Sequence, residues 1–184
     1  MKKIISLVLA LVMALSFTLV LTSCGDEPEL DFATAKTNLE AADYSAKILE
    51  SDAELMAIEY PGIVKVLYVT EGKDSILDYI DPESYATKLV IYEFEKSETA
   101  DLFCEYFGLE KSRIIEYNEF EIKRYEHLLE EYSDVLESDQ IDNYNDKIKD
   151  CKKDIEEAES KIIGSSGCFV WVGYQDAIAA SVGK

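Results

Sequence analysis

Apolar residues recur along this chain in three different rhythms, and each rhythm predicts a different kind of segment. Residues 4–21 are apolar almost without a break. Ile63–Val69 and Thr87–Phe94 are short runs rich in β-branched and aromatic residues, the composition of strands. From residue 115 onward the spacing becomes helical. Ile115, Asn118, Ile122, Tyr125, Leu129, Tyr132 and Leu136 follow one another at alternating intervals of three and four. Ile141, Tyr144, Ile148, Cys151, Ile155, Ala158 and Ile162 repeat that rhythm. Both are heptad seams.

Folding the chain back at Ser138-Asp139-Gln140 lays one seam on the other. Leu136 then faces Ile141, Tyr132 faces Tyr144 and Tyr125 faces Cys151, every pair of numbers adding to 276 or 277. The pattern predicts an antiparallel helical hairpin over residues 111–162, with Ser138 capping its second helix. Around it, Asp31–Asp43 predicts a helix with Phe32, Ala35, Leu39 and Ala42 on one stripe. Tyr44–Leu49 predicts a short strand, and 51–59 a helical turn ended by Pro61-Gly62. Ser97–Phe107 predicts a helix capped by Ser97 and stopped at Gly108. Cys168–Val172 predicts the last strand and Gln175–Ser181 a terminal helix, with Gly164-Ser165-Ser166-Gly167 as a flexible return. The expected fold is α+β: a small antiparallel or mixed sheet with helices on one face, formed by 31–110 and 163–184, and an inserted antiparallel coiled-coil hairpin.

The first rhythm is an address. Lys2 and Lys3 precede it, and Leu21-Thr22-Ser23-Cys24 ends it. A basic head, an apolar stretch and small residues before a cut site make a secretory signal peptide, here residues 1–23. Gly25, Asp26, Glu27, Pro28 and Glu29 follow, with no positive stop-transfer cluster. The order Leu-Thr-Ser-Cys resembles the lipobox of bacterial lipoproteins. That resemblance implies that Cys24 carries a diacylglycerol and becomes the N-terminus, on the outer face of the cell membrane. Two acyl chains give stable anchoring where one does not. Residues 24–30 form a tether reaching at most roughly 25 Å. Leu30-Asp31-Phe32, Ala35-Lys36, Val170-Trp171-Val172-Gly173 and Ala177-Ile178 look like a group of small lipoproteins from low-GC Gram-positive bacteria, a resemblance that implies location and no activity.

Charge narrows the partners. Without residues 1–23 the chain keeps 16 basic and 38 acidic side chains, a net charge of −22. Nucleic acid demands a basic surface, so it is not an expected partner. The same charge opposes docking onto anionic lipid. Nearly half the chain is apolar, enough for one domain with a real core.

Chemistry is thinly signalled. His127 is the one histidine and sits among Glu126, Glu130 and Glu131 on a helix face. No G-x-S-x-G, Walker A or G-x-G-x-x-G motif is present. Apart from Cys24, the cysteines Cys104, Cys151 and Cys168 are too scattered for a zinc site, and read first as buried small hydrophobes. Asp139, Asp142, Asn143, Asn145 and Asp146 gather oxygen ligands near the hairpin tip, but without EF-hand spacing. Glu93 and Glu95 could serve a glycosidase only across a cleft. No catalytic residue, cofactor or metal site is expected.

A second stripe of Ile114, Leu128 and Val135 lies just off the seam. It either packs on the sheet domain, the expected arrangement because a lone two-helix hairpin is marginal, or offers an interaction surface to an envelope protein. The expected function is that of a non-catalytic, membrane-anchored interaction protein. The alternatives are a Ca²⁺ or small-molecule binding module using the acidic surface and, more remotely, an extracytoplasmic hydrolase.

Overall fold

The computed structural model describes residues 31–51, 55, 60–72 and 87–184. The signal segment, the lipobox with Cys24, nearly all of 51–59 and the segment 73–86 lie outside the described residues. Phe32–Lys184 forms one compact unit.

Its centre is a five-stranded antiparallel sheet. In chain order the strands are β1 (Tyr44–Leu49), β2 (Ile63–Glu71), β3 (Thr87–Phe94), β4 (Ile162–Ser166) and β5 (Phe169–Gly173). They lie side by side as β1-β2-β3-β5-β4. The helices are α1 (Phe32–Ala41), α2 (Ser97–Tyr132), α3 (Ser138–Ser160) and α4 (Gln175–Ser181). The fold is α+β, with α2 and α3 as a long helical hairpin.

The sheet is covered on both faces, where the sequence predicted helices on one. Successive strand residues point to opposite sides, and β3 buries both sets: Val90, Tyr92 and Phe94 on one, Leu89 and Ile91 on the other. Val90, Tyr92 and Phe94 join Leu49, Val66, Tyr68, Val170 and Ala100 in one core, with Phe103 and Phe107 of α2 against it. Phe94 stacks on Phe103 with ring centroids 4.8 Å apart, and Tyr92 on Phe107 at 5.5 Å. On the other face Phe32 of α1 meets Phe169 of β5 at 5.9 Å. Ala35, Leu39, Ala177 and Ile178 are buried there through α1 and α4. Asp43 ends the α1 turn at φ 69°, a left-handed value that Asp tolerates better than most residues.

Three local expectations change. The α2 helix does not stop at Gly108; it runs unbroken to Tyr132. A glycine inside a helix costs about 1 kcal/mol relative to alanine, and the ring stacks just before it offset that. Its N-cap is Lys96, without a side-chain cap bond, so Ser97 is its first turn and not its cap. Gly164-Ser165-Ser166 is not a flexible return but most of edge strand β4, paired to β5 from Ile162↔Gly173 to Ser166↔Phe169. The two strands join through Gly167-Cys168, and Gly167 has φ 55°, the positive value that the first position of a two-residue hairpin turn favours.

The hairpin itself turns earlier than its seams suggested. Helix α2 ends at Tyr132 and α3 starts at Ser138, so the turn is 133–137. Glu137, not Ser138, is the N-cap. Its side chain accepts from the Gln140 backbone, and the Gln140 side chain accepts from the Glu137 N–H at 3.0 Å. The register shifts accordingly. Tyr125 stacks on Tyr144 at 5.5 Å, while Tyr132 is half exposed. At the base of the arm, the Lys111 ammonium donates to the carbonyls of Lys161 at 2.7 Å and Glu159 at 3.2 Å. A cation on the last carbonyls of α3 also complements the negative end of the helix dipole.

Candidate functional site

The sheet core fixes the N-terminal third of α2. Ala100, fully buried, and Phe103 and Phe107, partly buried, face the sheet. Tyr60 packs edge-on to both phenylalanines, at 5.1 and 5.8 Å. Farther along, Asn118, Glu121 and Tyr125 are buried. Asn118 donates to the Ile114 carbonyl at 2.9 Å, and Glu121 pairs with Arg124 at 3.2 Å.

The opposite side of α2 is where the structure departs most from expectation. Leu102, Tyr106, Leu109, Tyr117 and Phe120 are 66, 44, 70, 61 and 62 % exposed. At 100° per residue they fall within about 80° of one another, roughly opposite Ala100 and Asn118. Arg113 lies in the middle of them. The stripe runs about 27 Å along the helix. Its backing is rigid, because the Tyr106 ring also touches Phe107 at 5.7 Å and Phe103 at 6.3 Å. Single exposed apolar residues need no explanation, but five along one helix face call for one. The sequence carried the signal in its three- and four-residue spacing. It became readable only with α2 continuous through Gly108.

The residues singled out from sequence sit farther out. Ile114 is 44 % and Val135 71 % exposed, and Leu128 is partly buried. They do not bury as packing on the sheet would require. Val135 lies in the hairpin turn next to half-exposed Tyr132, so the tip of the arm carries a second, smaller apolar patch.

The chemical candidates are not brought together. His127 is exposed on α2, and Asp139, Asp142, Asn143, Asn145 and Asp146 lie exposed along the start of α3. Among the described residues no cluster of three or more His, Cys, Asp or Glu is arranged to hold a metal ion. Glu93 is half-buried on β3, opposite Lys65, and Glu95 is exposed beyond the strand end. Cys104, Cys151 and Cys168 are free thiols, each partly buried. Burial pushes the Cys151 thiol up, and the nearby Asp154, Glu121 and Asp150 charges push it further. Both effects disfavour the reactive thiolate.

No described helix is long and apolar enough to cross a membrane. No protein-family model matches the chain, and no curated protein or solved structure matches it.

Proposed function

We propose that the protein is a lipid-anchored extracytoplasmic protein, held at the outer face of a bacterial cell membrane through Cys24, that acts by contact and not by catalysis. The α2–α3 arm presents its tip to another envelope protein. The observation that carries this reading is the apolar side chains that the arm exposes, with Val135 the most exposed at 71 %. Burying them in water-free contact is favourable at about 25 cal/mol per Å². The signal segment and the lipobox resemblance support the location.

Two variants test the reading. Cys24→Ala removes the thiol that would carry the lipid and is expected to move the protein from the membrane fraction to the soluble fraction. Leu128→Asp with Val135→Asp keeps the protein on the membrane and is expected to lose an envelope protein that the wild type captures on cross-linking. A membrane-bound Cys24→Ala protein, or capture unchanged by the tip substitutions, contradicts the respective half of the proposal.

A further inference from the structure

We infer that the exposed stripe at the base of the arm is filled by a second copy of this chain, the two α2 helices crossing antiparallel about a two-fold axis between Leu109 and Arg113. This rests on the reading of the arm as a contact element and names the occupant of its other surface.

The stripe is complementary to itself. In a two-fold antiparallel pair, residues whose numbers add to about 222 face each other. Leu102 then meets Phe120 of the second copy, and Tyr106 meets Tyr117 of the second copy. All four are exposed, Tyr106 by the edge of its ring that does not lie against Phe103 and Phe107. At the centre, the Arg113 stem lies on Leu109 of the second copy, with its guanidinium beside Glu110 of the second copy. Within one chain that guanidinium already pairs with its own Glu110 at 3.3 Å, so each dimer centre would join two such pairs.

One ion pair is open to this direction and not to a parallel one. Glu98 stands at the start of the stripe and Lys123 at its end, on the same flank of the helix. The antiparallel crossing brings Glu98 to Lys123 of the second copy, a pair that a parallel crossing holds the length of the stripe apart. Glu105 and Glu116 of the two copies do approach, as do Asp101 and Glu119, so association works against this repulsion as well as against the charge of the whole chain. It is therefore expected to tighten with salt, as screening removes that repulsion. The acidic flank (Glu98, Asp101, Glu105, Glu116, Glu119) also argues against an anionic lipid surface as the occupant.

The area suffices. Five large side chains leave on the order of 100 Å² uncovered each. Two copies therefore bury on the order of 1,000 Å², and the stems of Thr99, Arg113 and Lys123 bring the contact to the roughly 1,200 Å² at which specific interfaces begin.

The test uses the full chain in nonionic detergent, with mass measured by sedimentation across protein concentration and from low to moderate NaCl. Expected is a reversible dimer, tighter at higher salt, whose association weakens at least about tenfold in Leu109→Glu with Phe120→Glu. Helix content should stay unchanged in this variant, and so should melting at concentrations where both proteins are monomeric, since both side chains are exposed. Direction is read by co-expressing two tagged copies in which Cys104, Cys151 and Cys168 are replaced by Ala. One carries Leu102→Cys and the other Phe120→Cys. A short bismaleimide is expected to join the unlike copies and not the like ones. A monomer at every concentration, a dimer indifferent to the Glu substitutions, or like-to-like cross-links overturns the inference. If the chain is monomeric but Leu128→Asp with Val135→Asp still costs it an envelope partner, the inference fails and the proposed function stands. If neither contact is found, both fail.

Discussion

The ring of Tyr125 lies 5.5 Å from that of Tyr144, inclined by 27°, and this stack sets which residues of the two arm helices oppose each other. Tyr125 is 8 % exposed, whereas Tyr132, one heptad on, is 50 % exposed. Truncating Tyr125 removes a buried aromatic contact and leaves a cavity. Tyr125→Ala should therefore cost about 3 kcal/mol, and Tyr132→Ala less than about 1 kcal/mol. Urea unfolding midpoints at constant slope check this; equal losses would restore the register in which Tyr132 meets Tyr144.

Gly164 exists for Trp171. A Cβ at position 164 would stand 2.6 Å from the indole ring, so the ring would have to shift. Gly164→Ala should destabilise by about 1–3 kcal/mol through overpacking. Trp171 is the single tryptophan, so its emission should shift in the same variant. An unchanged melting temperature and spectrum would mean the indole swings aside freely.

At the other end of the sheet, the Tyr44 hydroxyl donates to Asp176 at 3.0 Å. Burial, then the Asp176 hydrogen bond and the Asp176 and Glu71 charges, pushes the phenol up to about 12 from its ordinary 10. Burial drives the Tyr92 phenol up as well, well beyond the usual range. A folded-state value above the unfolded one gives stability that is whole below pH 10 and lost as pH rises through it. Stability should therefore fall between pH 10 and 12. Tyr44→Phe should shallow that slope while leaving the neutral-pH slope alone. Melting temperatures taken from pH 7 to 12 decide it; an unchanged alkaline slope would rule out Tyr44 as a contributor.

Lys111 joins the arm to the sheet domain by bonding the last carbonyls of α3. Burial holds its ammonium below the ordinary lysine value, with the Glu159 charge acting in the opposite direction. Lys111→Met keeps the stem and removes the donors, at an expected cost of about 1–2 kcal/mol. Hydrogen exchange should show the loss first at the Lys161 end of α3. Uniform loss across the sheet would place the contribution elsewhere.

Much of this fold is legible in the residues. Tyr44–Leu49, Thr87–Phe94 and Gln175–Ser181 begin and end where the pattern puts them, because their apolar rhythm and flanking turn residues agree. Three features misled. Gly108 looks like a helix stop, yet the Phe103 and Phe107 stacks on Phe94 and Tyr92 carry the helix past it. The Gly and Ser residues at 164–167 look like a linker, although a glycine is required under an indole that sequence alone does not place there. Ser138-Asp139 has the composition of a cap, but the reciprocal bonds of Glu137 and Gln140 take that role one residue earlier. Of the apolar surface proposed for contact, Ile114, Leu128 and Val135 were visible as an off-seam row. Leu102, Tyr106, Leu109, Tyr117 and Phe120 were not, because the break assumed at Gly108 split the row in two.

Contact without catalysis is the central claim, and a photoreactive residue placed in the full chain on native membranes tests it most directly. At position 135, in place of Val135, light should join the chain to one envelope protein. The same residue in place of exposed Gln175 at the start of α4 should give no such product. A product at 135 well above that control is the predicted result; no excess at 135 over the control would contradict the account.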